Sequence, residues 1–581
     1  MDNLRFEIES AIGRAFGSGV SAVPELEVPP DIKFGDFAIS CFSLAKKLGK
    51  NPMQVAQALT ESLNSDVSGV LVRATAVGPY VNLALADRAL FESAFSSAHP
   101  EAVGVRGQVM VEYLSPNTNK PLHLGHVRNG CLGAATSNLL EHSGFRVIRA
   151  ELINDRGIHI MKSLLAWQKF GNGETPQSTG EKGDHFVGRY YVRYSQEEAK
   201  DPSLKGQAQD LLRRWEGGDA EIVALWKRMN QWVYGGFEET CRRFGFGFDK
   251  VDLESDTYRL GKSIVEDGLK RGVFVRADDG SICFPLSADE FGTNEDGSPK
   301  RLTLLRSDGT SVYVTQDLGT ADLRFRTHGL DRLIHVVGSE QVYHFRTLKA
   351  VLKALGRGDW ADAIHHLSYG MVLLPDGKMK SREGKVVDAD DLLDGMSDMA
   401  AQAIAEKHGS DSLEAEEIRR RAEVIGLGSI KFHLLKCGAT QEIRFNPKES
   451  LSFDGMTGPY CQYAYARIAS ILARARAESL DWGQADPGLL GKNSEERLLA
   501  QNLLLFNRKA FEAAESLNPA VFLAHVYDLA KAFNQFYHRH QVLGSGDDRE
   551  LTKARLAMLS AVQEALKSGL GLLGIGVLET M

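Results

Sequence analysis

The 581-residue sequence contains only six cysteines, at positions 41, 131, 241, 283, 437 and 461, and no two are spaced as a CxxC pair. That removes the sequence signature of a zinc ribbon or a dithiol redox centre, and no metal site is expected; dispersed, unpaired thiols fit a reducing compartment. No stretch approaches the ~18 consecutive apolar residues of a membrane span. The first residues, Met1 to Glu9, carry charges where a secretory segment needs an apolar run. The expectation is a cytoplasmic protein without membrane contact. A positive excess is missing as well: 68 Lys and Arg against 76 Asp and Glu leave a net charge of −8. A uniformly basic nucleic-acid coat is excluded, while a local basic surface is not. Two common phosphate-binding signatures are also absent. Gly261-Lys262-Ser263 resembles the end of a P-loop, but Asp256 stands where its first glycine belongs, and no convincing GxGxxG follows a strand. P-loop kinases and dinucleotide-dependent dehydrogenases are therefore poor readings. Internal repeats and low-complexity tracts are missing too.

What is there is an ordinary globular composition, 43% hydrophobic and 25% charged, long enough for about four domains. Leu4, Ile8, Ile12 and Phe16 recur every four residues and predict an opening helix. A second helix is expected over about 37–63, interrupted near Gly49 to Pro52, with strands at 70–72 and 80–83. Residues 1–105 thus read as a small α+β domain. From 106 onward strands alternate with helices: a strand at 109–113, a helix over about 125–142, a strand at 146–150, and further strands at 312–315 and 332–337. A strand–helix–strand unit of about forty residues predicts a parallel sheet. Residues 106–390 read as this α/β domain, decorated by insertions over about 165–300. A helical connection, 391–455, leads to an all-helical domain, 456–581.

The most informative segment is Ser115-Pro116-Asn117-Thr118-Asn119-Lys120-Pro121-Leu122-His123-Leu124-Gly125-His126. It joins a strand to a helix at the carboxyl edge of a parallel sheet, where open α/β sheets bind ligands. A helix start offers free N–H groups and partial positive charge, which suits phosphate. Two imidazoles flanking a glycine can donate to the same phosphate, and Gly125 leaves room for close approach. Composition alone gives about 0.04 chance HxGH matches in such a chain. The second segment, Asp376 to Lys385, carries Lys378, Lys380, Arg382 and Lys385 around Met379 and Ser381. Such a loop can neutralise charge developing on a polyphosphate leaving group.

Together these segments resemble the HxGH and KMSKS signatures of class I aminoacyl-tRNA synthetases. The resemblance extends to the arginyl-tRNA synthetases through Glu112 to Asn117, Tyr313 to Ala321, Gln341 to Phe345, Ser452 to Arg467, Asn534 to His538 and Met581. Gly35-Asp36-Phe37-Ala38 and Leu44 to Lys47 look like that family's additional N-terminal domain, one that contacts tRNA. The resemblance implies a Rossmann-type catalytic domain and a C-terminal anticodon-binding domain. It implies ATP-dependent attachment of L-arginine to tRNA(Arg) through an arginyl-adenylate, with Mg²⁺ accompanying ATP and the chain working as a monomer. A guanidinium is planar, permanently charged and five-donor, so it calls for a carboxylate in fixed geometry. By resemblance Tyr313 and Asp317 hold it, Glu112 and Asn117 take the α-amino end, and Gln341 completes the pocket. Tyr313 is expected to end a strand, with Asp317 in the first turn of the next helix. His123, Gly125 and His126, with His344, Met379 and Ser381, are implied in ATP binding. The loop departs from KMSKS: Lys380 and Ser381 stand where its serine and second lysine belong. Lys120, three residues before His123, is then a candidate for the missing charge, with Lys378 and Lys380.

Residues 456–581 carry 13 basic and 13 acidic residues and are neutral. Tyr460 and Tyr463 share a helix face, which suits stacking on unstacked loop bases. The resemblance places them near the anticodon with Arg467, Tyr537 and Met581. Another class I synthetase, a small nucleotidyltransferase, and a non-catalytic RNA-binding paralogue are the alternatives; the helical domain argues against the second, and the intact His123, Gly125 and His126 against the third.

Overall fold

The computed structural model describes residues 2–17, 26–29, 31–65, 69–97, 104–373, 387–408, 414–544 and 548–581. At the N-terminus the helix Asp2–Phe16 buries Leu4, Ile8, Ala11 and Ile12. It packs against the helix Pro52–Asn64, which buries Val55, Ala56, Leu59 and Leu63. Beside them lies an antiparallel sheet of β1 (Leu26–Glu27), β2 (Phe37–Ser40), β3 (Leu71–Val77) and β4 (Tyr80–Leu85), in the order β1-β2-β4-β3. The helix expected from residue 37 is corrected here. Phe37, Ala38 and Ile39 are all buried in β2, and a short apolar run of this kind does not distinguish strand from helix. Helix begins at Phe42–Leu48, stops at Gly49 in the left-handed conformation, and restarts behind Asn51, whose side chain accepts from Met53 N.

The α/β domain is built on five parallel strands: β5 (Gly107–Glu112), β6 (Phe145–Ile153), β7 (Lys250–Leu253), and then β11 (Arg332–Gly338) and β12 (Ile364–Tyr369). Their order is β12-β11-β5-β6-β7, so the winding reverses at β5 and the topological switch lies between β5 and β11. β7 falls inside the stretch read from sequence as insertion, which therefore supplies a strand of the central sheet. That stretch also contains the helices Gly183–Glu198, Ser203–Glu216, Ala220–Phe244 and Leu260–Lys270, and β8 (Val275–Arg276) and β9 (Ile282–Pro285), which form an antiparallel sheet with β10 (Arg301–Leu305) just beyond it. The strand expected at 312–315 is instead the beginning of the helix Tyr313–His328.

Helices Ala389–His408 and Ala415–Leu435 pack on each other and connect the sheet domain to the helices Gly458–Ala477, Ser494–Glu515, Pro519–Arg539 and Arg549–Leu572. The N-terminal domain docks onto this bundle through a charged joint. Arg497 bonds the Asp36 carboxylate and Asp87, and Gln501 bonds the Asp36 carbonyl. All six cysteines are unpaired, five of them buried. Among the described residues, no helix is long and apolar enough to cross a membrane.

Candidate active site at the sheet switch point

His123 caps the helix Leu124–His142 in extended backbone conformation. Its Nδ1 accepts from Gly125 N at 3.2 Å, and its own N–H donates to His126 Nδ1 at 3.1 Å. The two rings stack at 3.8 Å between centroids. Because both Nδ1 atoms accept, each ring carries its proton on Nε2, which remains as its donor. Burial pushes the His123 imidazole down to about 3, with the nearby Lys120 charge adding to it. His126 is held well below the usual histidine range by burial, then by His123 and Lys120. Both are thus neutral N–H donors at physiological pH. Burial also lowers Lys120. A Cβ at Gly125 would lie 3.1 Å from His123 Nδ1, so the glycine protects the ring's position as well as access to the helix end.

The segment between β5 and this helix is strained. Leu114 and Ser115 both adopt left-handed backbone, φ 71° and 46°, unusual for residues other than glycine. Asn129, one turn into the helix, holds the bend. Its Oδ1 accepts from Leu114 N at 2.6 Å, and its Nδ2 donates to Val336 O at 2.7 Å on β11. Asn154 closes the other side, donating its N–H to Pro116 O and accepting from Thr118 N. Arg128 is fully buried and, among the described residues, has no carboxylate partner; its guanidinium donates to the carbonyls of Gly370, Met371, Ala439 and Gln441. It thereby fixes the chain leaving β12. These two residues were missed from sequence. Their signal was present: both are polar positions in the otherwise apolar turn directly after the motif.

The helix Tyr313–His328 carries the residues expected at the guanidinium. Tyr313 is its first residue and 78% exposed, not a strand end, and Asp317 lies beyond the first turn. Four residues apart, they share one helix face. Asp317 Oδ2 meets His344 Nε2 at 2.5 Å. Thus His344, expected among the ATP contacts, is brought to Asp317, the carboxylate expected at the guanidinium. Gln341 ends a short 3₁₀ turn after β11 and is exposed, as is Asn117. Glu112, at the end of β5, is buried; its carboxylate accepts from Arg324 and meets His335 Nδ1 at 3.0 Å. Burial opposes its charge, but Arg324 and His335 outweigh that and hold it well below the usual carboxylate range. Arg324 is the third residue missed from sequence.

Gly261, part of the rejected P-loop, has a packing role. A Cβ there would fall 1.7 Å from Thr315 O, and one at Gly319 would fall 2.4 Å from Gly261 N. The two glycines let the helices Leu260–Lys270 and Tyr313–His328 touch backbone to backbone. Lys378, Met379, Lys380 and Ser381 lie outside the described residues. The chain just beyond them is tied to the histidine motif: Leu124 N donates to Val387 O and Ala389 N to Leu122 O.

In the C-terminal bundle Arg467 lies between two rings, 4.6 Å from the centroid of Tyr463 and 4.7 Å from that of Tyr537, and donates to Asn534. The structure therefore joins Tyr463 and Arg467, one turn apart on one helix, to Tyr537, 70 residues further on. Tyr460 packs against Tyr527. Met581 packs on a small cluster that includes Ile425 and Leu578.

Residues 93–446 match the family described as tRNA synthetases class I (R), catalytic domain. Residues 461–581 match the DALR anticodon binding domain, and residues 2–85 the Arginyl tRNA synthetase N terminal domain. The arginine–tRNA ligase of Phocaeicola vulgatus is 41% identical over 612 aligned positions, covering 100% of this chain and 99% of its own length. That of Bacteroides thetaiotaomicron is 43% identical over 571, covering 94% of each. The solved arginyl-tRNA synthetase of Thermus thermophilus superposes with a TM-score of 0.83 at 28% identity, both chains covered in full. That of Plasmodium falciparum shares the fold, with a TM-score of 0.77 at 19% identity over 100% of this chain and 99% of its own.

Proposed function

The chain belongs to the arginyl-tRNA synthetases, and on that premise we propose which of its residues carry the family's reaction. The protein attaches L-arginine to tRNA at the expense of ATP, through an arginyl-adenylate, releasing pyrophosphate and then AMP. The α-carboxylate of arginine attacks the α-phosphorus. A C–O–P bond forms, the bond to pyrophosphate breaks, and the attacking group is already an anion that needs no general base. Catalysis then rests on positioning and on donors aimed at developing phosphate charge. His123 and His126 supply two neutral Nε2–H donors from the helix start, and Gly125 keeps the approach open. Lys120 supplies a fixed charge beside them. Lys378 and Lys380 are assigned to the pyrophosphate, and Met379 and Ser381 to the nucleotide, on the motif alone.

Tyr313 and Asp317 are assigned to the substrate guanidinium, with His344 bonded to Asp317 and Gln341 at the rim. Glu112 and Asn117 are assigned to the α-ammonium; Glu112 has spare lone pairs beyond those given to Arg324 and His335. The second step passes the arginyl group to the 2′-hydroxyl of the terminal ribose of tRNA(Arg), and AMP leaves. Tyr460, Tyr463, Arg467, Tyr537 and Met581 are assigned to the anticodon arm, and the N-terminal domain to the tRNA body. The donors at the histidine motif are nitrogens, suited to phosphate oxygen and unsuited to Mg²⁺. Any Mg²⁺ is accordingly proposed to arrive on the phosphates of ATP. A cytoplasmic monomer is proposed, with working units 1–105, 106–390, 391–455 and 456–581.

The observation that carries this reading is the placement, at one sheet edge, of a paired Nε2–H donor site and a Tyr–Asp pair on one helix face. It is tested by pyrophosphate exchange with each amino acid, with and without tRNA(Arg). Of the amino acids only arginine should support exchange, with tRNA(Arg) present; no exchange with arginine and tRNA together would overturn it.

A further inference from the structure

Among the described residues, Arg324 is the most deeply buried cation of the α/β domain to face two carboxylates. It is 1% exposed, bonds Glu112 at the end of β5, and reaches Asp252 Oδ2 on β7 at 3.1 Å. His335 Nδ1 lies 3.0 Å from the other Glu112 oxygen, and Lys250 Nζ 3.3 Å from the other Asp252 oxygen. Arg324 therefore ties its helix to two strands of the central sheet, across β6. A guanidinium suits this because its planar fork can serve two acceptors at once, which an ammonium cannot do in the same geometry.

The same helix carries Asp317. Residues 317 and 324 are seven apart, so they share a face, about 10 Å apart along the axis at 1.5 Å per residue. The helix cannot slide to relax this spacing. Its backbone is pressed against the neighbouring helix at Gly319 and Gly261, and Thr315 Oγ1 bonds Leu304 O on β10 at 2.5 Å. One rigid element thus holds the guanidinium carboxylate directly and, through Arg324, the carboxylate assigned to the α-ammonium.

We propose that Arg324 is a positioning residue that fixes Glu112 at a set distance from Asp317, making the length of the substrate side chain a criterion of selection. The inference rests on the assignment of Glu112 and Asp317 given above. A substrate one methylene longer or shorter than arginine cannot satisfy both anchors while the Arg324 tie is intact. Loosening the tie lets Glu112 move and weakens the selection.

The test is pyrophosphate exchange with tRNA(Arg) by Arg324→Lys and Arg324→Met, using arginine and homoarginine and varying ATP. Arg324→Met should lower kcat/KM for arginine by about 10²-fold, the scale of an ångström-sized misplacement. Arg324→Lys keeps the charge and should recover about tenfold of this. In both, the KM for ATP should stay within about twofold while the preference for arginine over homoarginine falls about tenfold, the scale set by one methylene. Arg324→Lys carries the test if the Met variant fails to fold, as judged by circular dichroism. Equal rises in the KM of arginine and ATP, or an unchanged preference for arginine, would overturn the proposal. Asp317→Asn separates the two claims. If it leaves the KM for arginine unaltered, the assignment of the site fails. If it raises that KM while the Arg324 variants keep the natural preference, the assignment stands and the role of Arg324 fails.

Discussion

Acid should act on this protein in part through His123, and the size of the effect follows from its surroundings. Folding buries the ring beside His126 and Lys120 and lowers its pKa from the usual 6.5 to about 3. Between those values the unfolded chain takes up a proton at His123 and the folded chain does not. The stability that comes from keeping the ring neutral is therefore complete above pH 6.5 and lost as the pH falls toward 3. At about 1.4 kcal/mol per unit, moving from pH 7 to pH 5 removes about 2 kcal/mol. His123→Asn isolates this term. Asparagine is among the best helix N-caps, so it retains an acceptor for Gly125 N, but it does not titrate. The variant should lose about 2 kcal/mol less than the natural chain over the same interval. A chain of several domains need not unfold in one step. Hydrogen exchange at amides of the helix Leu124–His142, compared at pH 7 and pH 5, is the appropriate measurement. Equal losses in the two proteins would refute the neutral, buried imidazole. The same reasoning fixes the catalytic profile. Donors that are already neutral give no change in exchange rate near pH 6.5, whereas a limb there that disappears in His123→Asn would mean the ring works as a cation.

Three further outcomes are expected. Arg467→Ala removes the cation between Tyr463 and Tyr537 and should weaken tRNA binding about tenfold or more, leaving the KM values for arginine and ATP unchanged; filter binding at fixed salt with unaltered affinity would contradict it. Gly261→Ala drives a methyl into Thr315 O, should cost about 1–3 kcal/mol in overpacking, and should raise the KM for arginine by displacing the Asp317 helix; a folded variant with natural arginine KM would refute the helix contact. Arg497→Met strands the buried Asp36 carboxylate, and breaking such a pair costs about 3–5 kcal/mol. Calorimetry should then show the N-terminal domain melting apart from the remainder, and an unchanged thermogram would argue against this joint.

Much of the site was legible because its signals are local. His123, Gly125 and His126 lie within four residues, and the strand, loop and helix around them follow from apolar runs and a proline-bearing turn. The helices after residue 415 were legible for the same reason, since their period persists over many turns. What escaped the sequence depends on distant partners. Arg324 is one more charged residue in an amphipathic helix until Glu112 and Asp252, 212 and 72 residues away, close around it. The joint between Asp36 and Arg497 spans 461 residues and has no local trace. β2 was misread because three consecutive buried apolar residues fit either periodicity, and only pairing with β4 decides.

The misread strand at 312–315 bears directly on the chemistry. Val312, Val314 and Thr315 are β-branched and favour strand locally. Their context overrides this: Val314 and Thr315 are buried against the sheet of β10, Thr315 bonds Leu304 O, and Gly261 brings a second helix to van der Waals distance. The difference is more than a matter of boundaries. A tyrosine ending one element and an aspartate starting another could shift relative to each other. On one helix, a turn apart, their spacing is fixed by the backbone; Tyr313 is exposed, and the Asp317 carboxylate meets His344. Stacking on the flat face of a guanidinium and accepting from its edge are two demands of one rigid ligand, and the proposed assignment of Tyr313 and Asp317 would meet both from a single helical turn.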